Sequence, residues 1–439
     1  MPLHLLLKKK ALEIGFDMAG IATVDAWKDL EFARKWVEQG YGGEMHYLEN
    51  PKRHDPRRVL ASAQSVICVG IVYNAPFPYS TEVATNSLPA KAQAPPGPPH
   101  EQPGPHAWIS RYAWGQDYHK ILRAKLERLR KAIENLAPGA ETRVYVDTGP
   151  VVERAFARYS GIGWTGKNTC LIHPSKGSWF FLGVILTSLA LEPDLPAPDR
   201  CGSCTRCLDA CPTGALTSPY VMDASRCIAY FNIELKGSIP ESYRTRIGSN
   251  LYGCDICQDV CPWNRSQKPE VSSQNGVASQ PLSASNLQPA EKGLGRAGAA
   301  TTNLAEFQPL QITLATSSGD CGPVAGHPTA RNQTSSDSRP GEDGAQPTTV
   351  KFSLFNPPLD TLAQLSEADF RRAFAHSPIK RPKYRGWLRN LCVVMGNSGD
   401  RRFIPKLQKL SRHEDPIVRE HATWAVGRLK GASGKCPPS

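Results

Sequence analysis

The chain has 439 residues, a formal net charge of +12 and a pI near 9.1. That length accommodates two or three domains with sizeable cores, and the basic balance suits a polyanionic partner without requiring one. No apolar run reaches the roughly 18 residues a membrane-crossing helix needs. Met1-Pro2-Leu3-His4, with Lys8 to Lys10 placed after the leucines, also lacks the charged-then-apolar order of a secretion signal. A cytoplasmic protein with reduced thiols and no membrane association is the expectation.

Helical spacing runs over residues 29–39 and 117–136; in the second, Ile121, Leu122, Leu126, Leu129 and Ile133 share one side, with lysines and arginines opposite. Residues 65–73, 142–146 and 179–186 read as buried strands. Residues 1–190 are therefore read as an α/β or α+β domain, and 84–105, rich in Pro and Ala, as a solvated insertion. Asp147, in Val146-Asp147-Thr148-Gly149-Pro150, ends a strand where open sheets set ligand crevices. It is either a general acid or the cap of a helix starting near Pro150. The run from Gly161 to Asn168 (Gly-Ile-Gly-Trp-Thr-Gly-Lys-Asn) matches neither a P-loop nor the dinucleotide-binding glycine spacing.

Eight of the thirteen cysteines lie between Cys201 and Cys261. Cys201, Cys204, Cys207 and Cys211, followed by Pro212, have the C-x2-C-x2-C-x3-C-P spacing of two-cluster ferredoxins, whose fourth cysteine serves the other cluster. Cys254, Cys257 and Cys261, followed by Pro262, keep the last three ligands of that pattern, and Cys227 is available as the missing one. Cys201, Cys204, Cys207 and Cys261 are assigned to one 4Fe–4S cluster, and Cys211, Cys227, Cys254 and Cys257 to the other. Residues 191–265 form this ferredoxin-type domain. Structural zinc is the alternative, but the first run offers more thiolates than one tetrahedral ion uses.

Residues 266–350 are dominated by small and polar types, with Phe307 the only aromatic before residue 350, and read as a low-complexity insertion without fixed structure. Cys321 within it reads as an unligated thiol. Beyond it, helical segments at 384–395 and 417–429 flank a third at 403–410. Leu391-Cys-Val-Val-Met-Gly396 resembles Ala422-Thr-Trp-Ala-Val-Gly427 at an offset of 31, which is HEAT-like spacing across 351–432, with a plain helical cap as the alternative. Lys380, Arg381, Lys383, Arg385 and Arg389 form a basic run around Tyr384, either an RNA-phosphate contact or a solvated helix face.

Taken together, the Asp147 and Gly161–Asn168 segments, the two cysteine runs, Glu234-Leu-Lys-Gly237, Ile247-Gly248 and Tyr252-Gly-Cys-Asp255 through Asn264 closely resemble epoxyqueuosine reductases. The resemblance covers most of residues 1–265 and resumes over about 355–430. It implies an α+β protein: a cobalamin-binding N-terminal domain, a two-cluster ferredoxin-like domain and a C-terminal helical repeat. It further implies a cobalamin-dependent oxidoreductase that converts epoxyqueuosine at the wobble position of tRNA into queuosine.

The resemblance places the proton donor on Asp147, and puts Arg53, Ser110, Leu171, Leu182, Ala229 and Asp255 around the corrinoid or substrate. Removing an epoxide oxygen as water takes two electrons and two protons, so low-potential clusters and an acid whose pKa is raised by burial suit the task. The expected partners are the tRNA anticodon loop and an external low-potential electron donor, for a monomer. His119 lacks the glycine that would complete a corrinoid-ligating motif and reads as a helix-start residue. A corrinoid reductive dehalogenase and a non-catalytic electron-transfer protein are the rival functions; the missing export leader and the C-terminal helix pair are expected to count against the first, and the Asp147–Asn168 block against the second.

Overall fold

The computed structural model describes residues 1–25, 27–83, 104–265, 300–302, 304–316 and 348–431. Its N-terminal part is built on a four-stranded sheet from β1 (Met18–Thr23), β2 (Ser65–Val72), β3 (Thr142–Tyr145) and β4 (Phe180–Thr187), in the order β1-β2-β4-β3. Every neighbouring pair is antiparallel. This corrects the α/β reading: a continuous apolar run such as Ser65–Val72 marks a strand covered on both faces, which an antiparallel sheet also allows.

Alternate residues of β2 serve opposite faces. Ile67, Val69 and Ile71 pack with Leu7 of α1 (Leu3–Ile14) and with Leu122, Leu126, Leu129 and Ile133 of α3 (Tyr118–Leu136). Val66, Cys68 and Val72 pack with Ala155 and Phe156 of α4 (Glu153–Tyr159). The i, i+4, i+7, i+11 spacing from Leu122 makes the α3 stripe, and full burial of each such side chain is worth about 2 kcal/mol. Asp117 caps α3 by accepting from the His119 N–H. The α2 helix (Trp27–Glu38) lies to one side and lines the cavity described below.

The cysteine region does not form a separate body. Trp108–Ile109 pairs in parallel with Asn250–Tyr252, and Asp194 accepts from the Ile21 N–H and from Lys8. Part of the expected structureless insertion is also ordered. Phe307 is buried against Phe181 of the sheet, and Leu310 N–H donates to Trp114 O. A Cβ on Gly115 would stand 2.2 Å from Glu306 O, so the segment approaches as closely as glycine permits. Beyond it, β5 (Gln311–Thr316) and β6 (Thr348–Ser353) form an antiparallel pair whose Ile312, Leu314 and Phe352 join the C-terminal core. Sparse apolar residues concealed this element because few side chains anchor it. Most of 84–105, and Cys321, lie outside the described residues.

At the C-terminus, α5 (Lys383–Asn397) packs on α7 (Pro416–Gly431), with α6 (Ile404–Leu410) against α7. Gly396 lets the two long helices meet: a Cβ there would lie 2.9 Å from that of Ala425.

Candidate functional site

Cys201, Cys204, Cys207 and Cys261 line one small cavity, the set assigned to a single cluster from their spacing. Lys167 Nζ donates to Gly202 O at 2.6 Å and Cys204 O at 3.0 Å, and Asn168 Nδ2 donates to Cys257 O at 3.2 Å. The Gly-Lys-Asn run, which matched no phosphate-binding pattern, thus fastens both cysteine loops to the N-terminal part. In the second set, burial raises the Cys254 thiol well above its ordinary range, and the nearby Cys227 and Cys211 add to it. Cys257 shares a hydrogen bond with Cys170, a ninth thiol at the cluster region that the sequence reading left unplaced.

Beside this region lies a cavity of about 1450 Å3. It is lined by Asp147, Arg53, Leu171, Leu182 and Ala229, all expected there, and also by Cys227 of the second cysteine set. Tyr230, Ile233 and Glu234 reach it from a π-helical turn (Tyr230–Glu234), a widened geometry often found at functional sites. Ser110 and Asp255, expected to line the pocket, do not. They are buried against each other, Ser110 Oγ donating to Asp255 Oδ1 at 2.5 Å, while Trp108 Nε1 and the Arg111 N–H donate to Oδ2. Their role is to brace the strand pair next to Cys254.

Asp147 is not a helix cap. The helix after it begins at Glu153, with Val152 at its N-cap. Asp147 instead sits at the centre of a tight turn, Thr148 N–H donating to Val146 O at 2.6 Å, with φ 54 in the left-handed region. Such backbone costs energy and persists where the surroundings impose it. Arg53 helps by donating to Gly149 O at 2.7 Å. The side chain is 49 % exposed, and Asp147 lines the cavity.

Burial alone would raise the Asp147 pKa, as the sequence reading anticipated. The hydrogen bonds from His119 and Tyr118 outweigh it and hold the carboxyl below its ordinary range. Tyr118 lies flat on Phe181, with centroids 4.1 Å apart and planes 5° from parallel. His119 reaches Asp147 with Nε2 at 3.3 Å and Asp117 with Nδ1 at 2.7 Å. Burial lowers its pKa, but the two carboxylates more than compensate and raise it to about 9. Asp117, hydrogen-bonded first by His119, is lowered to about 2 and is also met by Lys380 Nζ at 3.3 Å. At neutral pH the line Lys380–Asp117–His119–Asp147 alternates in charge. His119 does start a helix, as expected, and Tyr118 and His119 are the site residues that sequence reasoning missed. Their signal was the helix-start pattern itself, which aims the first turn of α3 at the end of β3.

The basic run divides. Lys380, Arg381, Lys383 and Arg385 are exposed. Arg381 pairs with Glu234 at 2.8 Å on the cavity wall, and Arg385 donates to Lys236 O at 2.6 Å. Arg389 is 1 % exposed and donates to the carbonyls of Phe231, Leu235 and Gly237, so it is a buried strut and is unavailable to RNA. On the inner face of a helix, an arginine in a basic run points into the protein.

Three buried polar atoms of cavity-lining residues, His54 Nδ1, Glu153 Oε1 and Trp164 Nε1, lack a protein partner. A wide cavity with apolar walls and unsatisfied donors and acceptors fits a large flat ligand fringed with amides, as a corrinoid is.

Comparison with known proteins follows the same lines. A 4Fe-4S double cluster binding domain matches residues 200–264, and the family described as epoxyqueuosine reductase QueG, DUF1730, matches residues 53–148. An epoxyqueuosine reductase of Xanthomonas campestris pv. campestris is 33 % identical over 429 residues, covering 96 % of this chain and 95 % of the relative. A crystal structure of epoxyqueuosine reductase with an epoxyqueuosine-modified tRNA-Tyr stem loop superposes with a TM-score of 0.69 at 27 % identity, covering 97 % of this chain and 90 % of that one. A Bacillus subtilis epoxyqueuosine reductase, its catalytic aspartate loop swung out of the active site, gives 0.67 at 27 % identity with the same coverage.

Proposed function

The chain belongs to the epoxyqueuosine reductase family, and we propose that it removes the epoxide oxygen of epoxyqueuosine at the tRNA wobble position as water, with Asp147 as proton donor. Two 4Fe–4S clusters feed the reaction, and the enzyme depends on cobalamin. The observation that carries the reading is that one cavity is lined both by Asp147 and by Cys227, a ligand of the second cluster. Arg53, Leu171, Leu182 and Ala229 would hold the cobalamin, with the unpartnered polar atoms facing its fringe. When bound, the cofactor supplies a low-valent cobalt able to pass two electrons to carbon.

The residues of the chain handle the protons. His119, held by Asp117, passes its proton through Asp147 to the departing oxygen, and after taking up a second proton from solvent it does so again for the second transfer. Tyr118 fixes the carboxylate and is itself fixed by stacking on Phe181. Each group lies within hydrogen-bonding reach of the next, as general acid catalysis requires.

The tRNA anticodon loop is read as lying across the exposed Lys380, Arg381, Lys383 and Arg385 and the HEAT-like helices behind them, with the target base turned into the cavity. The solved neighbour bound to a modified stem loop supports this reading. An external low-potential donor supplies the electrons to a monomer, and a tRNA substrate implies the cytoplasm. The family membership favours neither dehalogenation nor plain electron transfer. The test is anaerobic turnover of a stem loop carrying epoxyqueuosine. Wild type should form queuosine, while Asp147→Asn should keep its iron and lose about 10²- to 10⁴-fold in rate. Near-normal turnover by that variant would remove Asp147 from the role, and turnover of organohalides instead of RNA would install the rival.

A further inference from the structure

Glu153 is the first residue of α4, and its Oε1 is buried without a partner although the residue lines the reaction cavity. Nothing in the proton path just described uses it. Resting on the cobalamin reading above, we propose that Glu153 binds the cofactor as an un-ionised acid, donating its carboxyl hydrogen to an amide carbonyl on the corrin fringe.

The surroundings favour that form. Burial raises the Glu153 pKa to about 8, outweighing a hydrogen bond from the residue's own backbone, and Asp147 raises it further against the opposing influence of Arg53 and Arg154. From the elements packed on α4, the buried thiol of Cys68 on β2 also faces it. The sequences of β1 and β4, and of the short strands Trp164–Thr165 and Leu171–Ile172 that also pack there, contain no titratable side chain. Among the described residues no cation forms an ion pair with Glu153, and Arg53 and Arg154 act on it only from a distance. A buried polar atom left without a partner is costly, so a ligand that satisfies it gains affinity. A neutral carboxyl offers both a donor and an acceptor to an amide, whereas a carboxylate offers only acceptors.

Affinity should thus be linked to one proton. Binding to the neutral form is constant below the pKa and weakens by up to about tenfold per pH unit above it. The experiment is an anaerobic titration of cluster-loaded protein with cob(II)alamin, followed by visible absorbance between about pH 6 and 9. Wild-type affinity should be flat to about pH 8 and then fall. Glu153→Gln, which keeps an amide donor, should bind at pH 7 about as wild type does and lose the alkaline fall. Glu153→Ala should bind more weakly at every pH. His119 also titrates in this range, and its contribution would persist in Glu153→Gln.

A wild-type profile flat through pH 9, an unchanged slope in Glu153→Gln, or wild-type affinity in Glu153→Ala would each overturn the proposal while leaving cobalamin in the cavity. Failure of wild-type protein to take up cob(II)alamin at all would instead overturn the cofactor reading. Iron content and circular dichroism confirm that each variant is folded, and if one variant is not, the other decides the matter.

Discussion

Tyr118 donates its phenolic hydrogen to Asp147 Oδ2 at 2.9 Å, and the same oxygen lies 3.3 Å from Nε2 of His119. Two consecutive residues at the start of one helix therefore serve one carboxylate oxygen at the end of a strand. In the resting protein this favours the carboxylate and leaves the transferable proton on the imidazole.

The pH dependence follows from that placement. Activity should fall as pH rises through about 9, where His119 loses its proton. In His119→Gln the fall should move to lower pH, because Asp147 then titrates without its charged partner. Identical alkaline limbs in the two pH–rate profiles would break the link. The folded-state pKa of His119 lies above its ordinary value of 6.5, so the stability from this pairing is complete below about pH 6.5 and lost as pH rises through about 9. Denaturant unfolding of wild type and His119→Gln across that window should show the difference disappearing.

Arg389→Ala should behave as a core mutation. It leaves three carbonyls in the Phe231–Gly237 turn without their donor. The bond to Phe231 is fully buried and a buried unsatisfied group costs about 1–3 kcal/mol, so a loss of at least about 1 kcal/mol is expected in denaturant unfolding. A stable variant with weakened RNA binding would return Arg389 to the RNA surface.

Lys383→Ala should do the reverse. The residue is exposed at the start of α5, and loss of one phosphate contact lowers the slope of log affinity against log salt by about 0.7 for a single-stranded loop. Filter binding of the stem loop at several salt concentrations measures it. An unchanged slope would mark Lys383 as a solvated side chain.

Cys261→Ser should remove iron from one cluster only. It shares a cavity with Cys201, Cys204 and Cys207, so iron should fall from about eight to about four atoms per chain while the other cluster keeps its spectrum. Loss of both signals in parallel with Cys254→Ser would contradict the reciprocal assignment.

The grouping of Cys201, Cys204, Cys207 and Cys261 was readable because cysteine spacing is a local property, and these four line one cavity. The amphipathic stripe of α3 and the continuous apolar run of β2 were readable for the same reason. Asp147 was visible as a candidate, but its protonation was not: that depends on His119 and Tyr118, 28 and 29 residues earlier, and on burial, which act in opposite directions. Arg389 and the surface lysines look alike in sequence, since helix phase relative to a neighbouring turn is a tertiary property. Ser110 and Asp255 were near the right place, yet they satisfy each other across 145 residues.

The β5–β6 pair has a further consequence. Thr316 stands opposite Thr348 in register, so the departure and return points of the stretch between them lie side by side. Because the departure and return points are already adjacent, lengthening the stretch between them adds only a slowly growing entropic term, about 0.6 kcal/mol per doubling. A change of length between these two points can therefore leave the pairing of β5 with β6 as it is.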